Sequence, residues 1–203
     1  MTFHKYKLFL LIIKLRASIL LLLIIIFPAY SQSTDKAELE IVFYKYRSFL
    51  EEKQYDQAFD YYRDDFLQYV PKAQLEKQFK QLEENENLTL QVKNSTIRLM
   101  TKILKKDGIK YCLIRYAAET HLRLNDDISK EKNLSFRDYF KKQYQKNYSF
   151  SEDENTIVLY KEQELIAIKE DRWQFVVYKK QLDPYMSIWV PTDVLEKLLK
   201  MSQ

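Results

Sequence analysis

Apolar positions recur every three to four residues from Leu39 to Leu82 and every second residue from Leu88 onward, so helices are expected to precede a sheet. Leu39, Val42, Phe43, Tyr46, Phe49 and Leu50 form one helical stripe of about four turns. Tyr55, Ala58, Phe59, Tyr62 and Phe66 form a second, which ends at Val70-Pro71 because the residue before a proline disfavours the helical region. Pro71 can open a third helix, with Leu75, Phe79 and Leu82 on its buried side and Lys and Glu on the other.

The stretches from Leu88 to Lys105 and from Ile109 to Leu124 alternate in polarity and are rich in Thr, Ile, Val and Tyr, which predicts two strands. Lys106-Asp107-Gly108 between them carries an Asp-Gly pair that tolerates positive φ, and Gly108 is the sole glycine of the 203-residue chain. A hairpin is therefore expected. Asp126 to Lys132 reads as a charged loop, and Ser135 through Tyr144 as an inserted helix with Asp138 in a capping box. Strands are expected again at 156–161, 164–170 and 173–179, as a three-strand meander turning at Glu162-Gln163 and Glu170-Asp171-Arg172. Pro191-Thr192-Asp193 opens a last helix with Val194, Leu195, Leu198 and Leu199 on its apolar face.

The first 31 residues change the picture. A basic start (Lys5, Lys7, Lys14, Arg16), an apolar run from Ala17 to Phe27, Pro28, and Ala29-Tyr30-Ser31 describe a secretory signal cleaved between Ser31 and Gln32. The apolar run is shorter than the roughly 20 residues that span a bilayer, although the patch Leu8 to Ile13 would help an uncleaved anchor. Residues 32–36 then form a linker, and 37–203 a single domain outside the cytoplasm, periplasmic or secreted. Setting the four basic residues aside lowers the 33 Lys and Arg to 29, equal to the 29 Asp and Glu, so the net charge of +4 gives no field for nucleic acid.

Composition excludes several chemistries. One glycine leaves no phosphate-cradling loop, no dinucleotide fingerprint and no Gly-x-Ser-x-Gly elbow. His121 is the one histidine past the signal and Cys112 the one cysteine, which leaves no multi-histidine or multi-cysteine metal site and no internal disulfide. No cofactor is implied. The acidic run 151–155 lacks the alternate ligands and glycine of a calcium loop and reads as a solvated turn. On the second strand Arg115, Glu119, His121 and Arg123 share a polar face. If that face lines a pocket, Glu119 can orient and charge His121 as an acid–base pair; if it meets water, it is the ordinary outer side of an antiparallel strand. The tyrosines at 44, 46, 55, 61, 62 and 69 read chiefly as core-edge residues with wet hydroxyls, and otherwise as a stacking platform.

Amphipathic N-terminal helices before an antiparallel sheet, with Tyr55-Asp56-x-Ala58-Phe59-x-Tyr61 in the second helix, resemble the nuclear-transport-factor-2-like superfamily. Leu165 to Glu170 followed by Trp173-Gln174-Phe175 resembles the last hairpin of its exported members, and the signal ending resembles exported proteins of Bacteroidetes-type bacteria. The resemblance implies an α+β cone, cystatin-like, in which helices pack on a curved antiparallel sheet around a cavity; the inserted helix and the C-terminal helix are departures from it. Such a shell serves isomerases, dehydratases, ligand binders and dimerisation modules. The reading favoured is an exported non-enzymatic module that binds a small apolar ligand, a peptide or an envelope protein, with Arg115, Arg123 and Trp173 as candidate binding residues, and a homodimer is compatible with it. The alternatives are a cofactor-free acid–base enzyme using His121 and Glu119, and an envelope scaffold touching the membrane only through its N-terminal segment.

Overall fold

The computed structural model describes residues 34–203; the side chains of Gln78, Leu82 and Glu83 are not described, nor are the signal region and its Ser31-Gln32 junction. The chain is α+β, with N-terminal helices followed by a six-stranded, curved, unclosed antiparallel sheet and a C-terminal helix. Residues 34–51 are helical (α1), so positions 34–36 belong to a helix and not to a linker. Two compact units divide the chain at Ile41/Val42, and the whole sheet lies in the second, residues 42–203.

The second predicted helix is two: α2 (Tyr55–Phe59) and α3 (Asp64–Tyr69). The backbone leaves the helix between them because it pairs with the sheet. Phe175 donates its N–H to the Tyr61 carbonyl at 2.7 Å, and Arg63 N–H reaches the Phe175 carbonyl at 3.2 Å. Helix α4 (Lys72–Glu83) follows Pro71 and lies against β1 (Leu88–Met100). Strand β1 is not continuous to Lys105: it ends at Met100, and β2 (Leu104–Lys106) resumes after three residues outside the strands, of which Thr101 still donates its N–H to the Leu113 carbonyl at 3.0 Å. Asn94, at φ 51°, marks a bulge where the register against β3 slips between Lys93 and Thr96, and bulges of this kind bend a strand.

Strand β3 (Ile109–Leu124) is central, flanked by β1 and β2 on one side and by β5 (Thr156–Lys169) on the other. The β2–β3 turn is Asp107-Gly108, at φ 51° and 84°, as an Asp-Gly hairpin requires. The inserted helix, α5 (Lys130–Tyr144), begins five residues before Ser135. Ser129 is its cap, accepting the Lys132 amide at 3.3 Å, so Ser135 and Asp138 form no capping box. Its Phe136, Phe140 and Tyr144 pack on Leu88, Leu122, Leu124, Ile157 and Leu159 of the sheet.

A short strand, β4 (Tyr148–Ser151), follows α5 and pairs with residues 156–159 of β5. The expected meander is replaced by one long strand, since Glu162 and Gln163 do not turn but pair with Ala117 and Tyr116 of β3. Strand β6 (Trp173–Tyr178) takes up residues 164–169 on the same edge as β4. Residues 160–163 of β5 therefore have no strand partner on that edge among the described residues. Their polar sequence, which reads as a turn, is that of a locally bare edge.

Tyr116, Thr120 and Leu122 of β3 share the helix-covered inner face with Gln163, Leu159 and Ile157 of β5. On the outer face, Tyr111, Leu113, Ile166 and Ile168 are buried at the end where α7 (Thr192–Met201) meets β2 and β3. Val194, Leu195 and Leu198 form the buried side of α7, which is reached through α6 (Asp183–Met186). Among the described residues no helix is long and apolar enough to cross a membrane.

Candidate functional site

The strand pattern singles out the outer face, and the structure fills in its geometry. His121 Nε2 lies 2.9 Å from Glu119 Oε2, and Asn94 Nδ2 donates to the same oxygen at 2.8 Å. The hydrogen bond from His121 holds the Glu119 carboxyl below its usual range. The imidazole and carboxylate are 17% and 24% exposed, and His121 lines an open polar depression with Thr89, Gln91, Lys93, Arg123 and Thr156. Arg115 is held by Glu164 at 2.7 Å farther along this face, while Arg123 is largely exposed and 3.9 Å from Asp126. Trp173 is separate from all of them. It is buried on β6 with its indole N–H lacking an acceptor among the described residues, and Lys169 lies 5.7 Å from its ring.

The polar strand face and the helix-covered cavity are thus on opposite sides of the sheet. The cavity, of about 380 Å³, lies among α1, Tyr62 of the α2–α3 connection, α4, α5 and the inner face, and none of Arg115, Glu119, His121, Arg123 or Trp173 lines it. Its apolar part is formed by Leu90 and Val92 of β1, Leu159 and Leu165 of β5, Val177 of β6 and Phe79 of α4. Tyr144, Lys161 and Gln163 bring the lining to the bare stretch of β5.

Its polar end is built on Arg47. The α1 stripe places this residue three before Leu50 and four after Phe43, at a position that faces the core, so a charge is carried inside. Arg47 is 4% exposed. Its Nε donates to Ser95 Oγ at 2.8 Å, Nη1 approaches Tyr116 Oη at 3.5 Å, and the guanidinium lies 4.9 Å from the Tyr116 ring and 5.8 Å from that of Tyr46. No carboxylate among the described residues pairs with it directly; Ser95 Oγ passes the contact on to Glu51 Oε1 at 2.7 Å. Tyr116 donates to Gln163 Oε1 at 2.9 Å, and the hydroxyls of Tyr46 and Tyr62 are 2.8 Å apart. Burial raises all three phenols, Tyr62 to about 12, so they are neutral donors at any ordinary pH.

Tyr46 and Tyr62 are therefore core residues whose hydroxyls bond each other, not rim residues with wet hydroxyls. Arg47 belongs to no motif in the sequence. The available signal was a guanidinium within an otherwise apolar helical stripe. Cys112 is fully buried, with its thiol against the Thr101 carbonyl at 3.5 Å, and residues 152–155 are a turn. Among the described residues no three His, Cys, Asp or Glu side chains are grouped to hold a metal ion. Comparison with known proteins returns no family model, no curated protein and no solved structure that matches.

Proposed function

We propose that the chain is an exported binding module whose ligand occupies the cavity between helices and sheet. The observation that carries the reading is the cavity itself, which combines an apolar wall with one convergent polar end, as small-molecule sites do. Its volume falls in the range of ligand pockets, on the order of 300–1,000 Å³. Export rests on the basic, apolar and small-residue order of positions 1–31. The His121–Glu119 pair, on the outer face, is read as a surface tie along β3 with no catalytic part.

Native mass spectrometry of the protein recovered from the compartment to which it is exported tests this. A stoichiometric small-molecule adduct, lost in Val177→Trp because the new ring fills the cavity, is the expected result. Protein carrying no adduct, or the same adduct in Val177→Trp, rejects it. N-terminal sequencing of the same sample checks export by cleavage: a start at Gln32 supports it, and intact Met1 favours an anchored scaffold.

A further inference from the structure

The polar end of the cavity offers donors and positive charge but no free acceptor of matching charge. A guanidinium has five N–H donors, and among the described residues Arg47 meets only neutral hydroxyls, those of Ser95, Tyr116 (at the 3.5 Å limit) and Tyr46, and no carboxylate. Of the two hydroxyls in the Tyr46–Tyr62 pair, one donates to the other, which leaves one phenolic proton without a protein acceptor among the described residues. The Gln163 Oε1 acceptor is already taken by Tyr116. A buried cation is strongly penalised unless it is paired, and the two tyrosine rings offset only part of that penalty.

Resting on the reading that this cavity is a binding site, we infer that its ligand is an amphipathic monocarboxylate, with the carboxylate on Arg47 and an apolar body against Leu159, Leu165 and Val177. A carboxylate supplies two acceptor oxygens in the geometry of the guanidinium fork. One buried cation matches one negative charge, so a monoanion fits better than a phosphate dianion. Lys161 also lines the cavity, but it is exposed on the bare stretch of β5, where water screens its charge, so it does not alter that match. At about 30 Å³ per non-hydrogen atom, water's share of its liquid, the cavity holds on the order of a dozen such atoms. That is a medium-chain or aryl-alkyl acid, not a long-chain lipid.

Calorimetric titration of the protein with decanoate and with decanol separates recognition of the carboxylate from apolar binding. Decanoate is expected to bind at least tenfold more tightly than decanol. Arg47→Met should reduce it to the level of decanol, and Val177→Trp should abolish both. Equal binding of acid and alcohol by the unsubstituted protein, or a preference for decanoate that survives Arg47→Met, overturns the carboxylate assignment while leaving the cavity as an apolar site. Binding of neither compound overturns the cavity reading as well. The comparison of acid with alcohol needs no variant, so it stands even if Arg47→Met fails to fold.

Discussion

The Arg47 guanidinium sits 4.9 Å from the ring centroid of Tyr116, and its Nη1 reaches the same residue's hydroxyl at 3.5 Å, so one tyrosine meets the cation with both its face and its edge oxygen. An aromatic face is a weaker partner than a carboxylate and carries no net charge of its own. The arrangement keeps a cation inside the molecule without neutralising it.

Two substitutions distinguish a cation kept for function from one kept for stability. Arg47→Met preserves the unbranched stem and removes the charge, and without ligand it is expected to unfold within about 1 kcal/mol of the original or at higher urea. Ser95→Ala leaves the charge and removes its shortest hydrogen bond, and should cost about 1.5–3 kcal/mol. Urea midpoints measure both. A larger loss in Arg47→Met than in Ser95→Ala would make Arg47 a structural residue.

The buried phenols set an alkaline limit. The folded-state value for Tyr62 is raised from 10.0 to about 12, so its contribution is complete below pH 10 and declines as pH rises toward 12, because the unfolded chain ionises first. Unfolding followed by circular dichroism should coincide with the phenolate absorbance of Tyr46, Tyr62 and Tyr116. Tyr62→Phe should move that transition to higher pH. Sixteen tyrosines contribute to the absorbance, several of them exposed, so the part that counts is the difference between the protein and Tyr62→Phe; if that part rises well before the structure is lost, the Tyr62 hydroxyl is open to solvent.

Glu119 gives the opposite sign at the acid end. Its carboxyl is lowered in the folded protein, so its contribution is present above the unfolded value of about 4.3 and is lost as pH falls through the folded one. Glu119→Gln should therefore be less stable at pH 7, by under about 1 kcal/mol for a pair on an open face, and the deficit should be smaller at pH 3. Denaturation curves at the two values check this. A deficit that is undiminished in acid would come from lost packing.

Gly108 separates backbone strain from contact. Its φ is +84°, and a methyl group added there would meet no atom within 4 Å. Gly108→Ala should destabilise by about 1–2 kcal/mol, the cost of an L-residue in the left-handed region, and Gly108→Asn by less. Thermal or urea unfolding of the two variants measures the difference. Equal stability would place the turn in a conformation other than the Asp-Gly hairpin.

The elements most legible in the sequence were those in which one period ran undisturbed. The β2–β3 hairpin follows from Asp107-Gly108, and the α7 face from Val194, Leu195 and Leu198. Tertiary pairing decided the others. Residues 60–63 look helical but leave the helix to pair with Phe175, and Glu162-Gln163 look like a turn but continue β5 because β3 pairs with them throughout. Ser129 and Ser135 both precede residues able to start α5, and local sequence alone does not rank them. The polar strand face was visible by alternation, but period two does not say which face the helices cover. Arg47 is hard to see because a lone guanidinium in an apolar stripe ordinarily reads as the stripe's edge.

Strand β4 ends its pairing at Leu159 and β6 begins at Glu164, a separation of roughly 17 Å along β5 at 3.3 Å per residue. The length of unpaired edge between them is thus set by how many residues two short strands contain, not by the size of any side chain. Adding a ladder rung at the end of β6, where Lys179 would meet Gln163, would shorten it without altering the apolar part of the cavity wall. Ligand exchange and ligand affinity could then evolve separately, one through strand length and the other through Arg47 and its neighbours.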